Sequence, residues 1–301
     1  MSRRALVTGA SGFIGRHLTR ELARQGFEVT AISRDDEVDV AGVRSVIGDL
    51  SIPEFARDVI RGTRPQCVYH FAGLASGDRS LMMVGPTFDA NLLTTVNVLM
   101  AAHESNCDRV VIAGSIEESR DVDPAPPSSP YAASKMAASL YAKLFASLYG
   151  SSIITLHIAF VYGPGQLDFQ KLVPYVIRSY VEGNAPALTE GSRVVDWIHV
   201  SDVVDAAILA GELDDTGSHA FSIGTGTGTS IRELAGTLAE LCGALVPPEF
   251  GSIPNRPLDR ERVADITRAT EVLGWKPKMD LNEGLRTTVA WYKELLAHVD
   301  G

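Results

Sequence analysis

Tyr131 and Lys135 are four residues apart in a stretch predicted to be helical, and this spacing places a phenol and an ammonium group on one helix face. A lysine beside a tyrosine favours the phenolate, which would bring the tyrosine pKa from about 10 toward the working range of a general acid or base. The spacing alone is common, and a surface lysine near a core tyrosine is the alternative. The interpretation therefore depends on the rest of the chain.

A glycine run near the amino terminus supplies that context. Gly9, Gly12 and Gly15 follow a short apolar segment, residues 4–7, and precede residues 14–24, whose apolar positions have helical period. A strand, a glycine turn and a helix amino terminus together form a pyrophosphate site, because the backbone can approach the anion and its free amides attract it. We expect the following residues to bind a dinucleotide there: Gly9, Ser11, Gly12, Phe13 and Ile14.

Short apolar strands alternate with helical stretches through the first half of the chain. Further strands are predicted at residues 28–32, 67–71, 110–113 and 153–158, and helices at 53–61, 86–104 and 131–149. This order predicts an α/β fold with a doubly wound parallel sheet and right-handed crossovers. A cofactor should bind across the carboxyl edge of that sheet.

Composition limits the classes of function. The chain has 301 residues, a net charge of -10 and no apolar run near the length of a membrane span. The negative charge argues against nucleic acid or anionic membrane as a partner, and we expect a cytoplasmic protein. Three scattered cysteines, Cys67, Cys107 and Cys242, lack metal-ligand spacing, so we predict neither a metal site nor disulfides.

Several motifs in order resemble those of the extended short-chain dehydrogenase/reductases, in particular the nucleotide-sugar epimerases, dehydratases and reductases. The resemblance covers about residues 4–292 and implies a Rossmann-type domain with a smaller, discontinuous substrate-binding lobe. Beyond the glycine run and the tyrosine–lysine pair, its marks are residues 48–50, 70–73, Asn91, Ser115, 161–165, 196–202, 256–259 and 273–277.

The resemblance implies catalytic roles for four residues. Tyr131 would exchange a proton with a substrate oxygen during hydride transfer, Ser115 would hydrogen-bond that oxygen, and Lys135 would hold the cofactor ribose. Glu117 occupies the place of a catalytic glutamate of sugar 4,6-dehydratases, although a solvated loop carboxylate is the alternative. Ile116 replaces the polar neighbour that those enzymes carry and supplies neither base nor proton donor, which disfavours dehydration.

The end of the second strand bears on the cofactor type. Ser33 and Arg34 stand where an acidic residue would bind the ribose hydroxyls of NAD. A guanidinium pairs well with a 2′-phosphate, so NADP is favoured, with NAD as the alternative because Asp35 and Asp36 follow. By resemblance, the remaining cofactor-binding residues are Asp49, Leu50, Phe71, Ala72, Gly73 and Asn91.

Recognition of a substrate pyrophosphate is expected to depend on Arg256, in a segment similar to an Arg-Pro-Gly-Asp motif of the family. Two further phosphate-binding positions of the family hold Phe160 and Val195 here. Arg193, Lys171 and Arg262 are the other cations that we expect to assist, since a guanidinium can bind a phosphate bidentately.

The expected domain bounds are residues 1–166 and 196–223 for the dinucleotide-binding domain, and 167–195 and 224–301 for the substrate lobe. Residues 224–228 read Gly-Thr-Gly-Thr-Gly and resemble a second phosphate loop, but a flexible turn is favoured because Ser230 caps the next helix well. His199 and Asp202 are assigned no metal.

The predicted function is NADP-dependent reduction at C4 of a nucleotide-linked 4-keto-6-deoxyhexose, an enzyme of deoxysugar biosynthesis. An NAD-retaining 4-epimerase is the alternative, and a non-catalytic dinucleotide-binding protein is the alternative from another class. We also expect a homodimer formed through the helices at residues 86–104 and 131–149, because the apolar surface of the second helix is wider than one core face needs.

Overall fold

Twelve strands lie in three sheets within the part of the chain that the structure describes. In the computed structural model, which describes residues 3–118 and 126–297, the strands of those residues are β1 (Arg4–Thr8), β2 (Glu28–Ser33), β3 (Arg44–Ile47), β4 (Cys67–His70), β5 (Arg109–Ser115), β6 (Ile153–Ile158), β7 (Phe160–Tyr162), β8 (Ala187–Leu188), β9 (Val194–His199), β10 (His219–Ile223), β11 (Gly228–Ser230) and β12 (Glu249–Phe250).

The helices of the same residues alternate with these strands. They are α1 (Phe13–Arg24), α2 (Pro53–Thr63), α3 (Val84–Thr87), α4 (Thr94–Glu104), α5 (Pro130–Tyr149), α6 (Leu172–Val181), α7 (Val200–Glu212), α8 (Ile231–Cys242), α9 (Thr267–Leu273) and α10 (Leu281–Ala297). A 3₁₀ turn, Leu81–Met83, precedes α3, and a π-helical segment, Phe88–Leu93, joins α3 to α4.

The largest sheet has seven strands in the order β10-β6-β5-β4-β1-β2-β3, and every neighbouring pair is parallel. Strands β1, β5 and β6 of this sheet are almost fully buried and rich in valine, isoleucine and leucine, as expected when helices cover both faces. This arrangement confirms the predicted α/β, doubly wound fold. The sequence did not predict β3, whose residues are only partly buried.

The chain divides into two compact units. Unit 1 contains residues 1–158, 204–223 and 267–275, and unit 2 contains residues 159–203, 224–266 and 276–301. These bounds differ from the expected ones. Residues 159–166 and 196–203 belong to unit 2 because β7 pairs with β9 rather than with the large sheet, and residues 267–275 return to unit 1, where α9 packs on β10.

Unit 2 has its own sheet and core. Strands β7 and β9 are parallel, and β11 pairs with β9 in the antiparallel sense. Helices α6, α8 and α10 pack on one another, and their apolar side chains form a second core with Tyr162 and Trp197. Within the described ranges, no helix is long and apolar enough to cross a bilayer.

The glycine-rich segment at residues 224–228 forms a turn around a buried carboxylate. Asp196 is fully buried in β9, and it accepts hydrogen bonds from the backbone amides of Thr225 (2.7 Å) and Gly226 (2.8 Å). Ser230 then caps α8 in a capping box with Glu233. An internal carboxylate therefore takes the amides that a phosphate loop would offer, in agreement with the turn that the sequence favoured.

Candidate active site

The turn between β1 and α1 is shaped by close backbone approach. Gly9 has φ 66°, and a β-carbon there would lie 2.6 Å from the Ala72 backbone nitrogen. A β-carbon at Gly15 would overlap the Gly9 carbonyl oxygen. Gly12 is the N-cap of α1, and no side chain caps this helix terminus. The amino end of α1 and the end of β4 are thus brought together at the carboxyl edge of the sheet.

Tyr131 and Lys135 lie in the first two turns of α5. The helix begins here because Ser129 accepts a hydrogen bond from the Ala132 amide (3.1 Å) and Pro130 occupies the first helical position. Lys135 is buried, and its ammonium group donates to the Ala113 carbonyl oxygen on β5 (2.7 Å). The predicted helix therefore places both groups against the end of β5.

Ser115 is the last residue of β5 and lies beside the phenol. Its hydroxyl is near enough to the Tyr131 phenol to lower the pKa of that phenol, and it accepts a hydrogen bond from the backbone N–H of Glu117 (3.1 Å). The Glu117 carboxylate in turn accepts a hydrogen bond from Ser128 (3.3 Å). The structure thus assembles three of the four predicted catalytic residues, Ser115, Tyr131 and Lys135, and holds Glu117 close to them through its backbone.

Asn91 fixes the loop after β4 to α5. Its side-chain oxygen accepts the Leu74 amide (2.8 Å), and its side-chain nitrogen donates to Ser134 (2.9 Å). A β-carbon at Gly73 would lie 2.6 Å from the Asn91 oxygen and 3.4 Å from the Lys135 nitrogen. The predicted cofactor residues Gly73, Asn91 and Lys135 therefore converge, and Asn91 acts here as a fully buried brace.

This geometry is that of a dinucleotide site beside an acid–base tyrosine, and comparison with known proteins agrees. Residues 5–224 match the model of the NAD dependent epimerase/dehydratase family. The chain belongs to this family. Its enzymes are the extended short-chain dehydrogenase/reductases that act on nucleotide sugars, which confirms the resemblance found in the sequence.

Individual relatives align with nearly the whole length of this chain. A UDP-glucose 4-epimerase of Mycolicibacterium smegmatis is 33% identical and covers 96% of this chain and 98% of that protein. A dTDP-glucose 4,6-dehydratase of an Actinoplanes species is 29% identical, covering 96% and 97%. The solved structure of MoeE5 in complex with UDP-glucose and NAD is 32% identical, with a TM-score of 0.88 and coverage of 97% and 99%.

The residues around the turn between β1 and α1 fit the dinucleotide cofactor of the epimerase/dehydratase family. Gly9 and Gly15 leave no room for a β-carbon, and the uncapped amino terminus of α1 offers amides to a pyrophosphate. Ser11, Phe13 and Ile14 are partly exposed around that terminus. Lys135 and Gly73 lie beside each other at the carboxyl edge of the sheet, the edge at which a dinucleotide binds in folds of this type.

The predicted lowering of the Tyr131 pKa is wrong in sign. Burial raises the pKa of Tyr131 to about 12, although the Ser115 hydroxyl lowers it, and the carboxylates of Glu118 and Glu117 raise it further. Burial also lowers the pKa of Lys135 to about 8, which Glu118 opposes. Desolvation therefore sets the direction of both shifts.

Ile116 is only 3% exposed, in line with the sequence argument against dehydration. A buried aliphatic side chain at this position donates and accepts no proton. Glu117 is partly buried, so the solvated loop carboxylate that was its alternative does not describe it well. Its role in catalysis stays a prediction.

The residues that were predicted to bind the cofactor after β2 and β3 differ in their exposure and in their hydrogen-bond partners. Ser33 is buried and its hydroxyl donates to the Asp36 carbonyl oxygen, whereas the Arg34 guanidinium is exposed and pairs with Asp35 at 3.1 Å. Asp49 accepts the Ser51 amide (2.8 Å). Of the remaining two, Leu50 is in the core of unit 1 and Phe71 is partly exposed after β4.

The predicted phosphate-binding cations lie in unit 2. Burial lowers the pKa of Lys171, Asp168 opposes this shift, and the charge of the Arg256 guanidinium adds to it. Arg193 instead donates to the Arg260 carbonyl oxygen (2.7 Å) and stacks on Phe160. Lys171 and Arg256 are therefore the pair that the structure brings together, and Arg193 anchors the segment that follows Arg256.

Sequence reasoning missed Glu118, the neighbour of Glu117, and assigned it no role. Glu118 is 4% exposed and accepts a hydrogen bond from the Ser115 amide (2.7 Å). The available signal was Gly114, because a glycine inside a buried strand often marks a close approach by another group. Among the described residues, no group of three or more His, Cys, Asp or Glu side chains is arranged to hold a metal ion.

Proposed function

We propose that this protein is an NAD-dependent 4-epimerase of a uridine-diphosphate-linked hexose. The observation that carries the proposal is the pairing of Ser115 and Tyr131 at the end of β5, with buried Ile116 next to them. This arrangement serves proton transfer at one hydroxyl but lacks the additional polar group that elimination of water needs. The UDP-glucose 4-epimerase of M. smegmatis and the MoeE5 complex with UDP-glucose and NAD support the choice.

In this proposal the protein residues manage one proton and the position of the sugar. Tyr131 takes the proton of the C4 hydroxyl and returns it to the same oxygen after the 4-keto sugar has turned over in the site, while Ser115 holds that oxygen. Lys135 holds the cofactor ribose and supplies positive charge near the phenol. Bound NAD supplies the acceptor, and then the donor, of the C4 hydride. Lys171 and Arg256 bind the diphosphate as paired cations.

The test is equilibration of UDP-glucose and UDP-galactose, followed by chromatography, with no cofactor added. Purified protein should interconvert the two sugars and release NAD on denaturation, which mass spectrometry identifies. Protein that carries no NAD and leaves both sugars unchanged would argue against epimerisation.

The predicted reduction of an NDP-4-keto-6-deoxyhexose by NADPH is the second candidate, favoured by one observation. Arg34 is exposed directly after Ser33, where a guanidinium can meet a 2′-phosphate. In that case NADPH is consumed in a one-to-one ratio with a 4-keto sugar, and UDP-glucose is not converted. The two assays together separate a reductase from an epimerase.

We also propose a homodimer. Four large side chains are exposed on α5 of unit 1, at spacings that form one continuous stripe: Leu140, Tyr141, Leu144 and Leu148. Helix α4, which packs beside α5, exposes Met100. Such a stripe on two neighbouring helices suits an interface between identical copies, in which the same surface serves both partners.

A further inference from the structure

The carboxylate of Glu118 connects three elements behind the proposed catalytic residues. One oxygen accepts the Ser115 amide at the end of β5 (2.7 Å), and the other accepts the Ser139 hydroxyl of α5 (2.6 Å). The imidazole of His157 on β6 lies 3.4 Å from the first oxygen. With an exposure of 4%, this acidic side chain is almost removed from solvent, which proteins rarely tolerate for an unpaired charge.

The local sequence makes room for this carboxylate. Gly114 pairs with His157 in the parallel register of β5 and β6. A β-carbon at Gly114 would lie 2.9 Å from the Glu118 oxygen and 3.2 Å from the His157 ring nitrogen. The absence of a side chain at Gly114 therefore leaves room for the buried contact between the Glu118 carboxylate and the His157 imidazole.

Ser139 links the carboxylate to the catalytic face of α5. Tyr131, Lys135 and Ser139 are spaced four residues apart, so all three lie on the same side of the helix. Glu118 therefore touches the backbone of Ser115 and the helix face that carries the phenol and the ammonium. The following titratable groups face it or its neighbours: Glu117 after β5, Tyr131 and Lys135 on α5, His157 on β6, and His70 at the end of β4, which faces Lys135.

We propose that Glu118 is a positioning residue that fixes Ser115 to α5 and is the buried counter-charge that keeps Lys135 cationic, so that it sets the pH range over which the site binds its cofactor. The inference rests on the proposed function of Ser115, Tyr131 and Lys135. Glu118 need not contact substrate or cofactor for this role.

The protonation of Lys135 reflects a balance between burial and one nearby negative charge. Burial lowers the pKa of Lys135 to about 8, and the Glu118 carboxylate raises it. Without that charge, Lys135 would lose its proton at a lower pH. Glutamine has the same shape, and its oxygen can still accept the Ser115 amide, so Glu118→Gln removes the charge and leaves the geometry.

The experiment first removes the NAD that copurifies with the protein and then measures NAD affinity by calorimetry from about pH 6 to pH 10, in the wild type and in Glu118→Gln. We expect wild-type affinity to fall as Lys135 loses its proton, with a midpoint near its pKa of about 8. In Glu118→Gln the midpoint should move to lower pH by about half a unit or more. In a Lys135→Arg background, where the charge persists, Glu118→Gln should cause no shift.

Two further variants separate charge from structure. Glu104→Gln removes a surface carboxylate that pairs with Arg57 at 3.0 Å and should leave the midpoint in place. Glu118→Asp keeps the charge but shortens its reach, so it should keep the midpoint and lower turnover.

The possible results of these binding measurements separate the proposed function from the proposed role of Glu118. Wild-type protein that binds no NAD would overturn the proposed function and this inference together. NAD binding with an unchanged midpoint in Glu118→Gln would overturn this inference alone. This inference alone would also be overturned if Glu118→Gln still shifted the midpoint in the Lys135→Arg background, or if Glu118→Asp shifted the midpoint as far as Glu118→Gln.

Discussion

The Lys135 ammonium group donates a hydrogen bond to the Ala113 carbonyl oxygen at 2.7 Å, in a region that water scarcely reaches. A buried ammonium is costly to the fold, and this cost is visible in its pKa, which burial lowers to about 8. The cation is therefore maintained for its chemistry rather than for stability. This relationship leads to predictions for both stability and pH dependence.

Replacing the buried ammonium by an apolar side chain should stabilise the free protein. We expect Lys135→Met to raise the free energy of unfolding at pH 7 by about 1–3 kcal/mol while it abolishes turnover. Chemical denaturation measures the difference. Lys143→Met, at an exposed position of the same helix, is the control and should change stability by less than about 0.5 kcal/mol. A clear loss of stability in Lys135→Met would show that the ammonium stabilises the fold.

The stability difference should depend on pH. The folded-state pKa of Lys135, about 8, is below the ordinary value of 10.5, so between these two values the unfolded chain binds more protons and stability rises with pH. The advantage of Lys135→Met should be largest below about pH 8 and should disappear toward pH 10.5. Thermal unfolding of both proteins across this range checks the sign, and a constant difference would contradict it.

Removing the phenol oxygen should stop catalysis without harming the fold. Tyr131→Phe should lose about two to four orders of magnitude in turnover, because only the proton-transferring group is removed, and it should bind NAD as the wild type does. Tyr141→Phe, on the exposed side of α5, should retain full activity. Comparable turnover in Tyr131→Phe would mean that another group transfers the proton.

The exposed guanidinium after β2 should influence cofactor choice. Arg34→Asp replaces a partner for a 2′-phosphate by a carboxylate that repels it and accepts ribose hydroxyl groups. The ratio of NADH to NADPH affinity should rise roughly tenfold or more, which corresponds to about 1.5–3 kcal/mol. Arg20→Asp makes the same charge change at an exposed position of α1 and should leave the ratio unchanged.

The proposed dimer depends on the apolar stripe of α5. Light scattering at micromolar concentration should show a dimer for the wild type and a monomer for Leu144→Glu, because the change buries a charge in the interface. Leu245→Glu, at a fully exposed leucine of unit 2, should remain dimeric. A wild-type monomer would remove the basis for the proposal.

Elements that have strong local signals were predicted closely from the sequence. Strand β6 has the predicted bounds, and α5 begins one residue early because Pro130 follows a good N-cap, Ser129. The division into units was harder to predict, since the pairing of β7 with β9 brings together residues far apart in the chain. Periodicity within a segment carries no information on such pairings.

The catalytic residues were also predictable by type and position, whereas their electrostatics were not. The distance between Tyr131 and Lys135 in sequence indicates a shared face, but it does not indicate how deeply that face is buried, and burial decides the sign of both pKa shifts. Glu118 illustrates the same limit. Two adjacent glutamates look alike in the sequence, but one of them is enclosed by β5, β6 and α5.

The contact between Gly114 and Glu118 has an evolutionary consequence. An alanine at position 114 would place its β-carbon 2.9 Å from the Glu118 oxygen and 2.9 Å from Cγ2 of Thr155, so a lineage that acquires a side chain there must also shorten both neighbours. Positions 114 and 118 are separated by three residues in sequence and should change together among descendants of this protein. A lineage that drifts to a small apolar residue at 118 has removed one of the two contacts that require the glycine, and the buried acid is difficult to regain once the glycine is lost.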